Sequence, residues 1–487
     1  MKHALTIGVV LIWLGMMAAL VHKRTPGDAT PLDDASLDAP RESARDEWFG
    51  VYQQNRKIGH AHRTQERTDT GWVFRDDSSF SVAMLGTPQK LRTSLVAETD
   101  AAFALQRFDF HLVSQATSFA AKGAVAGDRL KVHFGALGSE ESVEIPLTEP
   151  IHLPSTFRPR IAGRSPEPGE RFTAPVFSPM TMKSEPLTIV VEGKETLPGP
   201  DGPTETLRIR EEHQGLAAKA WLAPDGSAVR EEASLGFTLV RESPETAVAG
   251  VESAPIDLVI ANRIPLHGEI ADPRSLRRLA LRVDGGAAAR IPSDPPRQIV
   301  EGDRLLIERE TVPSASAAAS ASAESREELA EFLAPAPFIE SNDPGIASLA
   351  ASIVGKEQNP RAAARRLLVW IAEHMKQEPS LTVPSAKEVL ASLRGDCNEH
   401  AVLLAALARA AGIPARVVAG AVYGDDGFYY HAWNELWLGE WVSADAIFAQ
   451  MPTDATHVKL LEGGPERHLA LGELIGQLEF TTLESAS

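Results

Sequence analysis

A single cysteine, Cys397, occurs in 487 residues. An intrachain disulfide is thereby excluded, and the paired-ligand knuckles of structural zinc sites cannot be built from it. Tyrosine is also scarce, at four, against 34 prolines and 36 glycines, a balance that points to many turns and a loop-rich body. Positive charge is in deficit: 48 Lys and Arg face 66 Asp and Glu, giving a formal net charge of −18 and a pI near 5.3. Non-specific nucleic-acid binding relies on clustered Lys and Arg to displace phosphate counterions, so no nucleic-acid partner is expected. The acidity reads as a solubility feature.

Long apolar runs are absent, with one exception. Ala4 to Val21 carries no charge and is bracketed by Lys2 and His3 on one side and His22, Lys23 and Arg24 on the other. About 18 residues at ~1.5 Å rise just suffice to cross a hydrocarbon core of ~30 Å. Ala18-Ala19-Leu20-Val21 is a poor cleavage site for a signal peptide, so residues 4–21 are expected to be an uncleaved anchor within 1–24. No second run of this kind exists. The expectation is a single-pass protein of the inner membrane with its large domain outside the cytoplasm, although positive charge on both flanks leaves the positive-inside rule undecided.

What is present is the composition of a folded chain, 43% hydrophobic and 23% charged, too long for one ordinary core. Residues 25–46 hold Pro26, Pro31 and Pro40 among aspartates without hydrophobic periodicity, as a disordered tether would. Residues 47–251 alternate apolar and polar positions in short runs, among them Trp72 to Phe74, Phe103 to Phe110, Leu130 to Phe134 and Ala217 to Leu222, punctuated by Gly, Pro and Asp. An antiparallel β-rich domain, curved or closed, is expected there. His60 and His62 share one strand face, but no third partner stands at metal-ligand spacing, and they read as surface polar residues. Residues 252–312 read as a short β section and 313–325, almost entirely Ala and Ser, as a linker. Residues 326–487 read as a catalytic domain whose first part is helical, with Asp343-Pro344-Gly345-Ile346 opening one helix and Pro360 another.

Cys397 lies in Gly395-Asp396-Cys397-Asn398-Glu399-His400-Ala401, at the head of an apolar helix that Gly412 and Pro414 terminate. Unsatisfied N–H groups and the positive end of the helix dipole favour a thiolate there, whereas the charge of Asp396, the expected cap, opposes it. Ala415 to Val422, Phe428 to Leu438 and Trp441 to Ala444 read as three strands, the second carrying His431 and the third leading to Asp445. Packed together, Cys397 can act as nucleophile, His431 as the group that holds and delivers the proton, and Asp445 as the acceptor that fixes the imidazole. Trp433 and Trp441 are expected to wall the site against water and contact substrate. A metal site of Cys397, His400, His431 and Asp445 lacks the usual ligand spacing, and neither metal nor cofactor is expected.

Three blocks carry a resemblance: Leu393 to Ala401, Arg409 to Gly420, and His431-Ala432-Trp433-Asn434-Glu435. In this order they resemble the bacterial transglutaminase-like superfamily over roughly Asp343 to Phe448. The resemblance implies an α+β class with a papain-like transglutaminase core at the C-terminus, and a Cys-His-Asp triad falling on Cys397, His431 and Asp445. One departure is local: Ala446-Ile447 follow Asp445, where many members have Pro or Ala then Thr. The expected function is that of a membrane-anchored thiol acyl-transfer enzyme hydrolysing a peptide or amide bond in a protein or peptide substrate. Protein-glutamine transamidation and a catalytically silent interaction scaffold remain open as alternatives, as does a metal-binding module.

Overall fold

The computed structural model describes residues 29–31, 44–84, 86–114, 118–135, 141–156, 158–179, 183–200, 202–213, 216–233, 236–251, 255–284, 287–311, 329–378, 385–463, 471, 474 and 476–487. Two large sheets dominate them. The first runs mostly antiparallel, with neighbours largely consecutive in sequence. From the strand Arg45–Gln53 it proceeds one way through Arg56–Arg67, Gly71–Met84 and Thr87–Asp100 to Glu141–Pro146. The other way it runs through Phe237–Glu242 back to Arg171–Ser178.

Period-two alternation drives this sheet to fold on itself. In Arg129–Gly135, Leu130, Val132 and Phe134 point inward while Arg129, Lys131 and His133 face solvent. The inward rows of both halves meet: the Phe108 and Phe177 rings lie 5.3 Å apart. Residues 151–153 stitch the halves, Ile151 accepting from the Leu105 amide and His152 bridging to Val176. The result is a near-barrel.

The second sheet has the order Gln298–Glu301, Arg304–Glu308, Arg278–Asp284, Glu479–Ala486, Ile264–His267, Gly427–Trp437, Ala415–Tyr423, Val458–Glu462, with Trp441–Ala444 also paired to Gly427–Trp437. Strands of the 252–312 section are therefore hydrogen-bonded into the sheet that carries His431. The C-terminal strand joins them, and Phe480 on it packs edge-on against Phe428 at 5.1 Å. Helices Pro344–Val354, Pro360–His374, Ala386–Ser392 and Cys397–Ala410 cover one face of the hairpin through Val417, Ala432 and Leu436. On the opposite face Ala419, Ala421, Phe428 and Val458 join Ile264, Leu279 and Leu281 in a separate core.

Two expectations are corrected. The α+β, papain-like class does not describe the chain, which is predominantly β-strand with two large, mostly antiparallel sheets and few helices. The resemblance spans a small part of the chain, and long-range pairing adds strands to its hairpin that local patterns did not join to it. The single-pass inner-membrane placement is also overturned. No helix among the described residues is long and apolar enough to cross a membrane, and the longest, Pro360–His374, has 15 residues and carries Arg361, Arg365 and Arg366. The expected anchor over 4–21, the larger part of the 25–46 tether and the 313–325 linker lie outside the described residues.

Candidate active site

The N-terminus of the helix Cys397–Ala410 is fixed before any side chain does chemistry. Asp396 caps it, accepting from the Asn398 amide at 2.9 Å, while Glu399 turns back to accept from the Asp396 amide at 2.9 Å. This reciprocal pair satisfies donors that a helix start otherwise leaves open. Gly395 makes room for it, because at φ 151° its missing Cβ would stand 2.3 Å from the Glu399 side chain. Ala401 to Ala408 are buried all round, sinking the helix between its neighbours and the sheet. Cys397 sits in the first turn, half-buried.

The strand Gly427–Trp437 docks on that helix through Asn434, whose amide donates to the Ala401 carbonyl at 2.8 Å. This brings the strand's backbone to the cysteine, and the Ala432 N–H hydrogen-bonds the Cys397 sulfur. His431, the preceding residue, is buried and donates from Nε2 to Asp445 Oδ2 at 2.6 Å. Asp445 follows the strand Trp441–Ala444 and is itself held, its Oδ1 accepting from the Ile447 amide at 2.7 Å. The structure thus brings Cys397, His431 and Asp445 to one place.

A fourth residue, absent from the sequence reading, joins them. His457, fully buried, reaches the same Asp445 Oδ2 from its Nε2 at 3.0 Å. Its Nδ1 lies 3.3 Å from Asp454 Oδ1, and Asp454 in turn accepts from Thr456 and, through Oδ2, from Arg274 at 2.9 Å. Burial alone would lower His457, but its bonds to Asp445 and Asp454 and their charges outweigh that and hold it above the usual histidine range. Burial would raise Asp445; His431 and His457 reverse this and hold it well below the usual carboxylate range. Only the clustering of Asp454 and His457 shortly after Asp445 could have signalled the residue.

The cysteine differs from expectation. Burial pushes the Cys397 thiol up, and the carboxylates of Asp396, Glu399 and Asp445 push it further, against the lowering contribution of the Ala432 N–H. Where the helix terminus was expected to favour thiolate, these surroundings favour the thiol. His400, one turn on, donates from Nδ1 to the Asp396 carbonyl at 2.7 Å, and burial lowers its proton affinity.

The two tryptophans part company. Trp433 is buried behind the histidines, 6.2 Å from the His431 ring and edge-on to His457 at 5.3 Å. Trp441 belongs to another cluster, packed on Phe332 at 5.1 Å and Trp437 at 5.5 Å beneath Arg416. Phe448, exposed and 5.4 Å from the His431 ring, borders the site instead.

His431, Asp445 and His457 offer ligand atoms within 4.8 Å of one another. Each nitrogen, however, lies at hydrogen-bond distance from one shared oxygen, closer than the ~3.3 Å that separates ligands around a tetrahedral zinc. A second group, Asp294, Glu435 and Glu462, already holds a cation, since the buried Lys459 ammonium contacts all three at 2.6 to 3.0 Å. His60 and His62 lie against Trp48 on the outer face of the near-barrel, beside Arg92 and His111 in a cavity of about 330 Å³. His62 is paired there with Asp46 at 2.8 Å.

Residues 347–446 match the transglutaminase-like superfamily. No match was found among curated proteins. Three solved structures are similar to parts of the chain. A β-barrel-like protein of a domain of unknown function from Brucella abortus is 10% identical, with TM-score 0.33, covering 41% of this chain and 94% of its own. A protein provisionally described as a cysteine protease, from Cytophaga hutchinsonii, is 17% identical, with TM-score 0.27, covering 46% and 81%. The periplasmic domain of TgpA from Pseudomonas aeruginosa is 18% identical, with TM-score 0.26, covering 38% and 89%. The superfamily match suggests enzymatic activity in this segment.

Proposed function

We propose that the transglutaminase-like segment is the catalytic part of a thiol acyl-transfer enzyme that hydrolyses a peptide or amide bond, with a protein or peptide as substrate. The observation carrying this reading is the buried 2.6 Å bond from His431 Nε2 to Asp445 beside a helix-borne cysteine. With Nε2 committed to the carboxylate, the other ring nitrogen is left to exchange a proton with the thiol.

With surroundings that favour the thiol, His431 serves as a general base. As the sulfur attacks the acyl carbon, its proton passes to His431 and the carbonyl oxygen gains the negative charge, for which the Cys397 backbone N–H is a donor. Collapse expels the amine, which takes the proton from His431 and leaves a thioester on Cys397. Water then attacks with His431 again as base, releasing the acid and restoring the thiol. An amine entering in place of water would give transamidation.

The discriminating experiment offers a peptide library and a labelled primary amine to the full chain and reads both products by mass spectrometry. New peptide termini are expected, absent in Cys397→Ala. Amine incorporation without cleavage would replace hydrolysis by transamidation.

A further inference from the structure

A triad of this kind calls for one imidazole on the carboxylate, yet Asp445 Oδ2 takes two. His431 reaches it at 2.6 Å and His457 at 3.0 Å, with the rings 5.8 Å apart. Both acceptors of His457 are carboxylates, Asp445 on Nε2 and Asp454 on Nδ1. A carboxylate only accepts, so a neutral imidazole could satisfy one of the two and would turn a bare lone pair on the other. Only the doubly protonated ring serves both.

The surroundings agree with a buried cation here. Asp445 and Asp454 face His457 with negative charge, and Arg274 balances Asp454 at 2.9 Å. Arg297 approaches the His457 carbonyl at 3.5 Å and is itself paired with Glu310. His431 is a further titratable group packed against it. Trp433 and Phe448 present their rings edge-on to His457 at 5.3 and 5.9 Å. With His457 charged and His431 neutral, the unit of two aspartates, His457 and Arg274 carries no net charge.

We infer that His457 is a positioning residue of the site: clamped between Asp445 and Asp454 as an imidazolium, it divides the pull of Asp445 between two rings and thereby sets how strongly His431 holds a proton. The inference takes His431 as the proton carrier from the reading above. A lone Asp–His pair would make His431 a stronger base but also protonate it earlier as pH falls. A second cation on the same oxygen opposes that, keeping His431 neutral, and so able to accept the thiol proton, to lower pH. Direct repulsion between the rings acts in the same direction.

The test needs no turnover. In the full chain, labelled with nitrogen-15 in its histidine rings, NMR reports the protonation of each ring against pH. In the unaltered protein His457 is expected to carry both ring protons at pH 7. In His457→Gln, whose amide still donates to Asp445 but bears no charge, the His431 midpoint is expected to rise by roughly one pH unit, a tenfold change in proton affinity. Asp454→Asn, which leaves Asp445 untouched, should strip His457 of a proton at lower pH and move His431 the same way. The acid limb of any turnover should follow the His431 midpoint upward, whereas a purely structural His457 would lower activity without moving it. A singly protonated His457 at pH 7, or a His431 midpoint indifferent to both variants, would overturn the inference. Should His431 shift as expected while no acyl transfer is found, the enzyme reading fails and the positioning role stands.

Discussion

Cys397 stands between opposing fields. The helix terminus and the Ala432 N–H favour its thiolate, while burial and the carboxylates of Asp396, Glu399 and Asp445 favour the thiol. Asp396 separates these contributions, because asparagine caps a helix about as well as aspartate but carries no charge. Asp396→Asn is expected to lower the thiol's pKa and speed alkylation of Cys397 at pH 7 roughly threefold to tenfold, as removal of one nearby like charge should. With no other thiol in the chain, the alkylation rate reads Cys397 alone. At this scale the sequence was informative wherever spacing and residue type coincided. Cys397, His431 and Asp445 could be grouped from the sequence because a helix start, a strand and a strand end were each recognisable. His457 was not, since nothing local says that a histidine beyond Asp445 turns back to the same oxygen. Trp441 failed for the converse reason: nearness in sequence to Asp445 did not bring it to the site.

Elements position these residues through close backbone approach. Gly420 on the strand Ala415–Tyr423 lies opposite His431 and beside the strand Val458–Glu462, with a register shift at Ala419/Gly420. A Cβ there would meet the Val458 carbonyl oxygen at 2.0 Å and the Trp433 ring at 2.9 Å. Gly420→Ala is therefore expected to pry away the strand that His457 precedes and to destabilise the protein by about 1–3 kcal/mol, measured by denaturant unfolding. Strands with hydrophobic continuity were legible: Trp441 to Ala444 was expected and found, and Ala415 to Val422 differs by one residue. Val458–Glu462 was not, because its Lys459 is buried by ion pairs with Asp294, Glu435 and Glu462, which no local pattern reveals. Glu479–Ala486 was missed because it is polar at most positions and buries Phe480 between strands remote in sequence.

At the scale of the molecule, a buried ionic cluster ties distant strands of the near-barrel. Arg63 pairs with Asp76 and Glu231, and Arg158 pairs with Glu211 and Glu231. Burial alone would raise Glu231, but Arg158 and Arg63 hold it down at about 2. A depressed carboxylate contributes stability above its unfolded pKa of ~4.3 and loses it as pH falls toward the folded value. Asp445 and Asp454 act in the same sense. The melting temperature is thus expected to fall steeply between pH 4 and about 2. Glu231→Gln, which leaves two guanidinium groups underpaired, should cost about 3–5 kcal/mol at pH 7. Strand content was legible here, because alternation is local. The merging of residues 264–308 with the C-terminal hairpin was not, since it depends on pairings between remote segments. For the same reason the α+β class inferred from one short stretch did not extend to the chain.

The proposed thiol chemistry is tested most directly by acylating Cys397 with an activated ester, p-nitrophenyl acetate, at pH 7 and following nitrophenolate release. One equivalent is expected in a burst, with the acetyl group found on Cys397 by mass spectrometry and no burst in Cys397→Ala. His431→Ala should slow it by about 10²–10⁴-fold, the usual contribution of a positioned general base. A burst no faster than that of a free thiol, and unchanged without His431, would contradict the thiol-enzyme assignment.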